Sequence, residues 1–282
     1  MFRILIADGW PGGDQVKLMQ RGLPSNVGLF ENALRVHEPG VDCRAINIAD
    51  GDALPAGSAI TDFDGVILTG SPLHVGDDIP AVRRQIDFAA MVFASRVPVW
   101  GSCWGLQLAT VALGGTVRRN PNGREIGIAR AIAVTPSGRH HPLLAGRAPV
   151  FDAVCSHLDD VATLPPGGEV LAQNGISAVQ ALAVRTASGG WFFGAQYHPE
   201  LDLAVVAAIM RAHAADLAAE GFARTAEDVR TLADDYHALS DAPDRHDLAW
   251  RYGIGREILD PAQRSVELGN WLSCAVHAGY RD

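Results

Sequence analysis

Cys103 stands at the end of an apolar run, Val97-Pro98-Val99-Trp100-Gly101-Ser102-Cys103-Trp104-Gly105, with a glycine two positions to either side. The run then turns at once into a helical pattern, Trp104 to Leu113, that stops at Gly114-Gly115. Small residues flanking a side chain at that spacing let the chain bend tightly from strand to helix and expose the group at the bend. The helix starting near Trp104 adds backbone N–H groups and a positive dipole end, which favour a thiolate. Free cysteine is often buried in cores, but a core thiol needs no such neighbours, so Cys103 reads as a nucleophile. A nucleophilic thiol needs a base, and the base needs an orienting group. Of ten histidines, His198 stands out in Ala195-Gln196-Tyr197-His198-Pro199-Glu200, between an apolar strand and a helical stretch. Glu200 can turn back to hydrogen-bond the imidazole, and Pro199 stiffens the link.

These groups must be carried to one place by the elements around them. Apolar runs at Phe2–Ala7, Val41–Ile48, Phe63–Leu68 and Val97–Trp100 alternate with helical patterns at Ser25–Val36, Ile79–Ser95 and Trp104–Leu113. Pro80 opens the second of those helices at its first turn. Strands that are apolar throughout and separated by helices predict a parallel sheet covered on both faces. Reactive groups collect at the carboxyl ends of such strands, where Cys103 and His198 both fall. From Ile126 to Trp191 the runs are closely spaced and β-like, which predicts an antiparallel or mixed section. A strand over Trp191–Tyr197 and a helix over Leu203–Leu217 follow. Beyond about Ala218 the composition becomes charged and helical, with a helix start at Thr225 and Asp228. Val229, Leu232, Tyr236 and Leu239 recur there at helical spacing, so this tail should dock on something.

The two motifs GSCWGLQ and QYHPE together resemble the class I glutamine amidotransferases, in the branch similar to the glutaminase part of GMP synthase. The likeness extends to Thr69-Gly70-Ser71-Pro72 and to Ser156-His157-Leu158-Asp159. It covers residues 1–217 as the family's domain and leaves 218–282 as a helical C-terminal extension. The fold it implies is α/β, a flavodoxin-like open, mostly parallel sheet with helices on both faces and a mixed or antiparallel section. It implies a Cys103–His198–Glu200 triad, an oxyanion hole from Gly70, Ser71 and the Trp104 backbone, and substrate contacts from Gln107, Ser156 and His157. The reaction it implies is hydrolysis of the γ-amide of glutamine, or of a γ-glutamyl compound, through a γ-glutamyl thioester. Where the family often has two glycines before the proline, this chain has Gly70-Ser71, which bears on substrate choice.

No synthetase-sized segment follows residue 217. The favoured expectation is a glutaminase component passing ammonia to a separate synthetase subunit. The alternative is a stand-alone γ-glutamyl amide or peptide hydrolase, and a non-enzymatic alternative is a catalytically silent interaction module. An α/β-hydrolase with a cysteine elbow would place its acid before the histidine, whereas Glu200 follows His198. No metal or cofactor is expected. His140-His141 reads as a loop or helix start, His157 with Asp159 as a substrate wall or second acid–base pair, and His74, Asp77 and Asp78 as a solvated rim. Cys155 reads as core and Ser188-Gly189-Gly190 as a hairpin turn.

Net charge of −9, with no basic cluster, argues against nucleic acid. No stretch approaches the ~18 apolar residues of a membrane span. MFRILIADGW lacks the form of a secretory signal, and four cysteines without a CxxC pair suit a reducing compartment, so the expected location is cytoplasmic.

Overall fold

A computed structural model describes residues 2–13, 16, 19 and 24–277, so the end of the expected tail, 278–282, lies outside the described residues. Among the described residues eleven strands carry the fold: β1 Arg3–Asp8, β2 Asp42–Asn47, β3 Gly65–Leu68, β4 Val99–Ser102, β5 Thr116–Arg119, β6 Glu125–Val134, β7 Val150–His157, β8 Asp159–Thr163, β9 Gly168–Gln173, β10 Ala181–Arg185 and β11 Trp191–Ala195. The main sheet runs β2-β1-β3-β4-β11-β10-β9-β6-β7, and β5 pairs with β8 in a separate ribbon. The β2-β1-β3-β4-β11 pairings are parallel and those from β11 to β7 antiparallel. The change of direction falls where the sequence patterning changes.

Both faces of the parallel half are covered. Side chains alternate across a strand, so Ile4 and Ile6 enter one core while Leu5 and Ala7 enter another. Helix α1 (Asn26–His37) lies on the first face. Helices α2 (Pro80–Ala94) and α3 (Trp104–Ala112) fill the second. Pro80 opens α2 as its missing N–H predicts. The helix expected over Leu203–Leu217 is interrupted at His213, whose backbone (φ −108°, ψ 18°) separates α4 (Leu203–Ala212) from α5 (Ala214–Ala219).

The C-terminal extension packs into the same cores. It contains α6 (Ala226–Asp241), α7 (His246–Tyr252), α8 (Arg256–Leu259), α9 (Pro261–Arg264) and α10 (Val266–Trp271). A capping box opens α6: the Asp228 N–H donates to Thr225 Oγ1 at 3.1 Å, and the Thr225 N–H to Asp228 Oδ2 at 2.9 Å. Val229, Ala233, Tyr236 and Leu239 then pack with Val206, Met210, Ile126 and Val154. Leu268, Trp271 and Leu272 join Ile4, Phe30 and Leu34 on the parallel sheet. Among the described residues, no helix is long and apolar enough to cross a membrane.

Candidate active site

The turn after β4 is as tight as its glycines require. Cys103 adopts φ 49°, ψ −100°, a region that side-chain-bearing residues rarely occupy. A Cβ at Gly101 would lie 2.6 Å from the Gly105 carbonyl carbon, and one at Gly105 would lie 2.1 Å from the Leu68 carbonyl oxygen. The G-x-C-x-G spacing is therefore a packing demand: the elbow fits only with no side chain at either position. The Cys103 N–H donates to Ala195 O at 2.7 Å, which ties the elbow to the end of β11. Its Sγ lies 3.5 Å from the Ser156 carbonyl oxygen.

That same strand, β11, leads to the candidate base. His198 follows it by three residues, and its N–H donates to Val154 O at 2.8 Å. Its Nδ1 lies 2.7 Å from Glu200 Oε1. The other oxygen of Glu200 accepts from Ser102 Oγ at 2.9 Å, and Ser102 Oγ accepts from Trp100 Nε1 at 2.9 Å. Burial alone would lower His198, but the Glu200 carboxylate and the Cys103 sulfur outweigh it and hold the imidazole up at about 10. The ring therefore carries its proton at neutral pH.

Gly70 lies against the edge of this ring, since a Cβ there would stand 3.4 Å from His198 Cε1. Its carbonyl accepts from Asn26 Nδ2 at 3.3 Å and Thr69 Oγ1 at 3.0 Å. A trans peptide points its carbonyl and its N–H in opposite directions, so these bonds turn the Ser71 N–H away from Asn26. Ser71 Oγ accepts from the Leu73 N–H at 3.3 Å. Trp104 opens α3, and its indole is anchored beneath by donation to Gln85 Oε1 at 2.8 Å.

Gln107 and the 156–159 segment form the opposite wall. Gln107 Nε2 donates to Asp159 O at 3.0 Å and Gln196 Oε1 at 3.2 Å. The His157 side chain is fully buried, with Nε2 2.9 Å from Glu125 Oε2 and Nδ1 3.1 Å from Asp159 O. Both ring nitrogens are thus occupied within the protein. The Asp159 carboxylate turns instead to His74 Nδ1, 2.8 Å away, which joins the Gly70 loop to the 156–159 segment at the rim. Cys155 is fully buried and its thiol is raised well above the usual range by desolvation. His140 and His141 lie near the short turn Pro142–Leu144, and residues 186–190 make the hairpin turn between β10 and β11.

Cys103, His198, Glu200, Gly70, Ser71, Gln107, Ser156 and His157 all line one cavity of about 710 Å³. Sequence reasoning passed over Asn26, Ser102 and Glu125. Ser102 carried a readable signal, a polar residue ending an apolar strand. Asn26 and Glu125 reach the site only through the fold.

A family model for "Glutamine amidotransferase class-I" matches residues 35–211. The chain is 34% identical over 237 residues to a "Gamma-glutamyl-L-1-hydroxyisopropylamide hydrolase" of Pseudomonas sp., covering 82% of this chain and 78% of that one. It is 36% identical over 138 residues to a "GMP synthase [glutamine-hydrolyzing]" of Thermomicrobium roseum, covering 49% of this chain and 23% of that protein. A crystal structure of a glutamine amidotransferase from Thermotoga maritima superposes with a TM-score of 0.65 at 15% identity, covering 95% of this chain and 98% of that one, a likeness of fold. A Cys-His-Glu triad is general in the matched family, and the strand-end elbow with its histidine and glutamate follows that plan. The chain belongs to the class-I glutamine amidotransferase family.

Proposed function

We propose that this protein hydrolyses a γ-glutamyl amide bond through a thioester on Cys103. The observation that supports it is the strand-end elbow beside a protonated His198 held by Glu200 at 2.7 Å. With its proton held on His198, the Cys103 sulfur attacks the γ-carbonyl carbon, and the S–C bond forms as the carbonyl becomes an oxyanion. The Trp104 N–H and the peptide at Gly70–Ser71 receive that charge, a contribution of about 3–4 kcal/mol for each well-placed donor. His198 gives its proton to the leaving nitrogen as the C–N bond breaks. Water, losing its proton to His198, then cleaves the thioester to release glutamate and restore the Cys103 thiolate beside the protonated ring. Gln107, Ser156 and His157 shape the wall that receives the glutamyl end, His157 by orienting the segment through Glu125.

We favour a stand-alone hydrolase of N-substituted γ-glutamyl amides. The likeness to the Pseudomonas hydrolase runs over 82% of the chain, whereas the likeness to the Thermomicrobium roseum GMP synthase stops at 49%. The second reading is a glutaminase delivering ammonia to a separate synthetase, supported by that GMP synthase likeness. We place the protein in the cytoplasm, where thiols such as Cys43, Cys103 and Cys155 persist. The test is glutamate release from L-glutamine and from γ-glutamyl alkylamides, with Cys103→Ala as control. Release from the alkylamides that is lost in Cys103→Ala supports the proposal. Release from glutamine alone supports the second reading. Release unchanged in Cys103→Ala overturns the mechanism.

A further inference from the structure

Five successive residues, Gly70 to His74, line the cavity, so a single loop forms the wall from beside the His198 ring outwards. Residues 69–79 form neither helix nor strand and run from β3 to the start of α2. The two ends of this loop are held. Thr69 Oγ1 accepts from the Gly9 N–H at 2.9 Å and Asn26 Nδ2 donates to the Gly70 carbonyl, while Asp78 Oδ1 accepts from Arg83 Nε of α2 at 2.6 Å. Between them, two hydrogen bonds are internal: the Leu73 N–H donates to Ser71 Oγ at 3.3 Å and the Asp77 N–H to His74 O at 3.0 Å. Among the described residues, one hydrogen bond ties 71–77 to the rest of the protein, that of His74 Nδ1 with Asp159 Oδ2 at 2.8 Å. Leu73 and Val75 pack into the second core, but apolar burial is non-directional and does not aim a peptide group.

The residue that His74 grips is fixed from several sides. Asp159 opens β8 and pairs with Arg119 of β5, and its carbonyl accepts from Gln107 Nε2 of α3 and from His157 Nδ1 of β7. A carboxylate only accepts, so His74 Nδ1 carries the hydrogen of the bond. The His74 side chain is 45% exposed, and such an exposed pair adds little to global stability. Its effect is on placement. Ser71 lies three residues before His74, and a misplacement of about 1 Å at a reacting centre costs up to ~10²-fold in rate. We propose that His74 is a positioning residue: held by Asp159, it sets the N–H of the Gly70–Ser71 peptide to receive the oxyanion that forms at Cys103. This rests on the γ-glutamyl hydrolase reading above and adds the residue that aims its oxyanion loop.

The experiment separates addition to a carbonyl from simple attack by sulfur. p-Nitrophenyl acetate acylates a thiolate through an oxyanion: the S–C bond forms, then p-nitrophenolate leaves. Iodoacetamide alkylates the same sulfur by displacing iodide, and no oxyanion forms. Both reactions are followed at Cys103 by mass spectrometry in the wild type, in His74→Ala, and in His74→Asn, whose amide N–H replaces the Nδ1–H. Glutamate release from L-glutamine and γ-glutamyl methylamide is measured beside them. His74→Ala should slow acylation about tenfold, less than the roughly 10²–10³ of removing an oxyanion donor outright, and leave alkylation unchanged. kcat for glutamate release should fall by the same factor with KM unchanged, and His74→Asn should restore most of the rate. The melting temperature should move by no more than about 2–4 °C. Equal slowing by both reagents means that His74 governs access to the sulfur, and overturns the proposal. Glutamate release that His74→Ala leaves unchanged overturns it too, with the hydrolase reading left standing. Acylation that depends on His74, in a wild type that releases no glutamate, supports the proposal and overturns the hydrolase reading. Neither acylation nor glutamate release overturns both.

Discussion

Ser102 Oγ donates to Glu200 Oε2 at 2.9 Å, so the residue just before Cys103 holds the carboxylate that pairs with His198. Both side chains are buried, and Trp100 Nε1 completes the line by donating to Ser102 Oγ. Ser102→Ala leaves one carboxylate oxygen buried without this donor, at a cost of about 1–3 kcal/mol. The expected outcome is a kcat about tenfold lower with KM little changed, because the loss falls on the orientation of His198 and not on substrate contacts. Steady-state kinetics on any cleaved γ-glutamyl amide checks it. A fall confined to KM would contradict this role.

The high value of His198 gives the protein a defined alkaline sensitivity. A folded-state value of about 10, above the ordinary 6.5, means that the protonated ring stabilises the fold fully below about pH 6.5. That stabilisation is lost progressively as pH rises from there through about 10. Chemical denaturation at a series of pH values should show stability declining over this window, and Glu200→Gln should flatten the decline by removing the attractive charge. The alkaline limb of kcat/KM should also move to lower pH in Glu200→Gln. The accompanying loss of rate should be roughly 10²–10⁴-fold, the usual contribution of a positioned acid–base group.

The backbone at Cys103 stores strain that a substitution can release. Alanine at φ 49° suffers as cysteine does, whereas glycine relieves about 1–3 kcal/mol of strain. Against this stands about 0.5–1 kcal/mol for the extra freedom of glycine in the unfolded chain. Cys103→Gly should therefore melt about 2–4 °C above Cys103→Ala, as ~1 kcal/mol shifts a domain of this size. Both variants should be inactive. Equal melting temperatures would mean that the elbow relaxes once the thiol is gone.

The C-terminal extension is anchored through a buried ion pair. Arg147 Nε lies 2.6 Å from Glu267 Oε1, and that oxygen also accepts from Tyr197 Oη at 2.7 Å. The Arg147 and Glu267 side chains are only 4% and 1% exposed, so removing one partner strands a buried charge. Glu267→Ala should destabilise the protein by about 3–5 kcal/mol, as measured by denaturant unfolding. Because Tyr197 directly precedes His198, activity should fall at temperatures where the variant remains folded. A loss under 1 kcal/mol would show that α10 docks through Trp271 and Leu268 alone.

The meeting of Cys103, His198 and Glu200 at strand ends and the alternation of strands and helices before residue 115 were legible in the sequence. Each rests on local chemistry: glycines two positions either side of Cys103, a histidine and a glutamate two apart at a strand end, apolar runs between helical periods. The α6 start was legible for the same reason, because a capping box is written in four consecutive residues. The partners of His157 and Asp159 were not. Their adjacency suggested each other, yet β6 supplies Glu125 to the one and the Gly70 loop supplies His74 to the other. Such pairings join residues 32 and 85 positions apart, and strand order and register decide them. The extension gave a similar split, since the spacing of Val229, Tyr236 and Leu239 required a partner without naming it. The sequence by itself determined which side chains stand at the strand-end turns, because side-chain type and the local turn that presents it are written in neighbouring residues. Only the tertiary structure decided what surrounds them, because burial and charge partners arise from surfaces that meet once the sheet has closed.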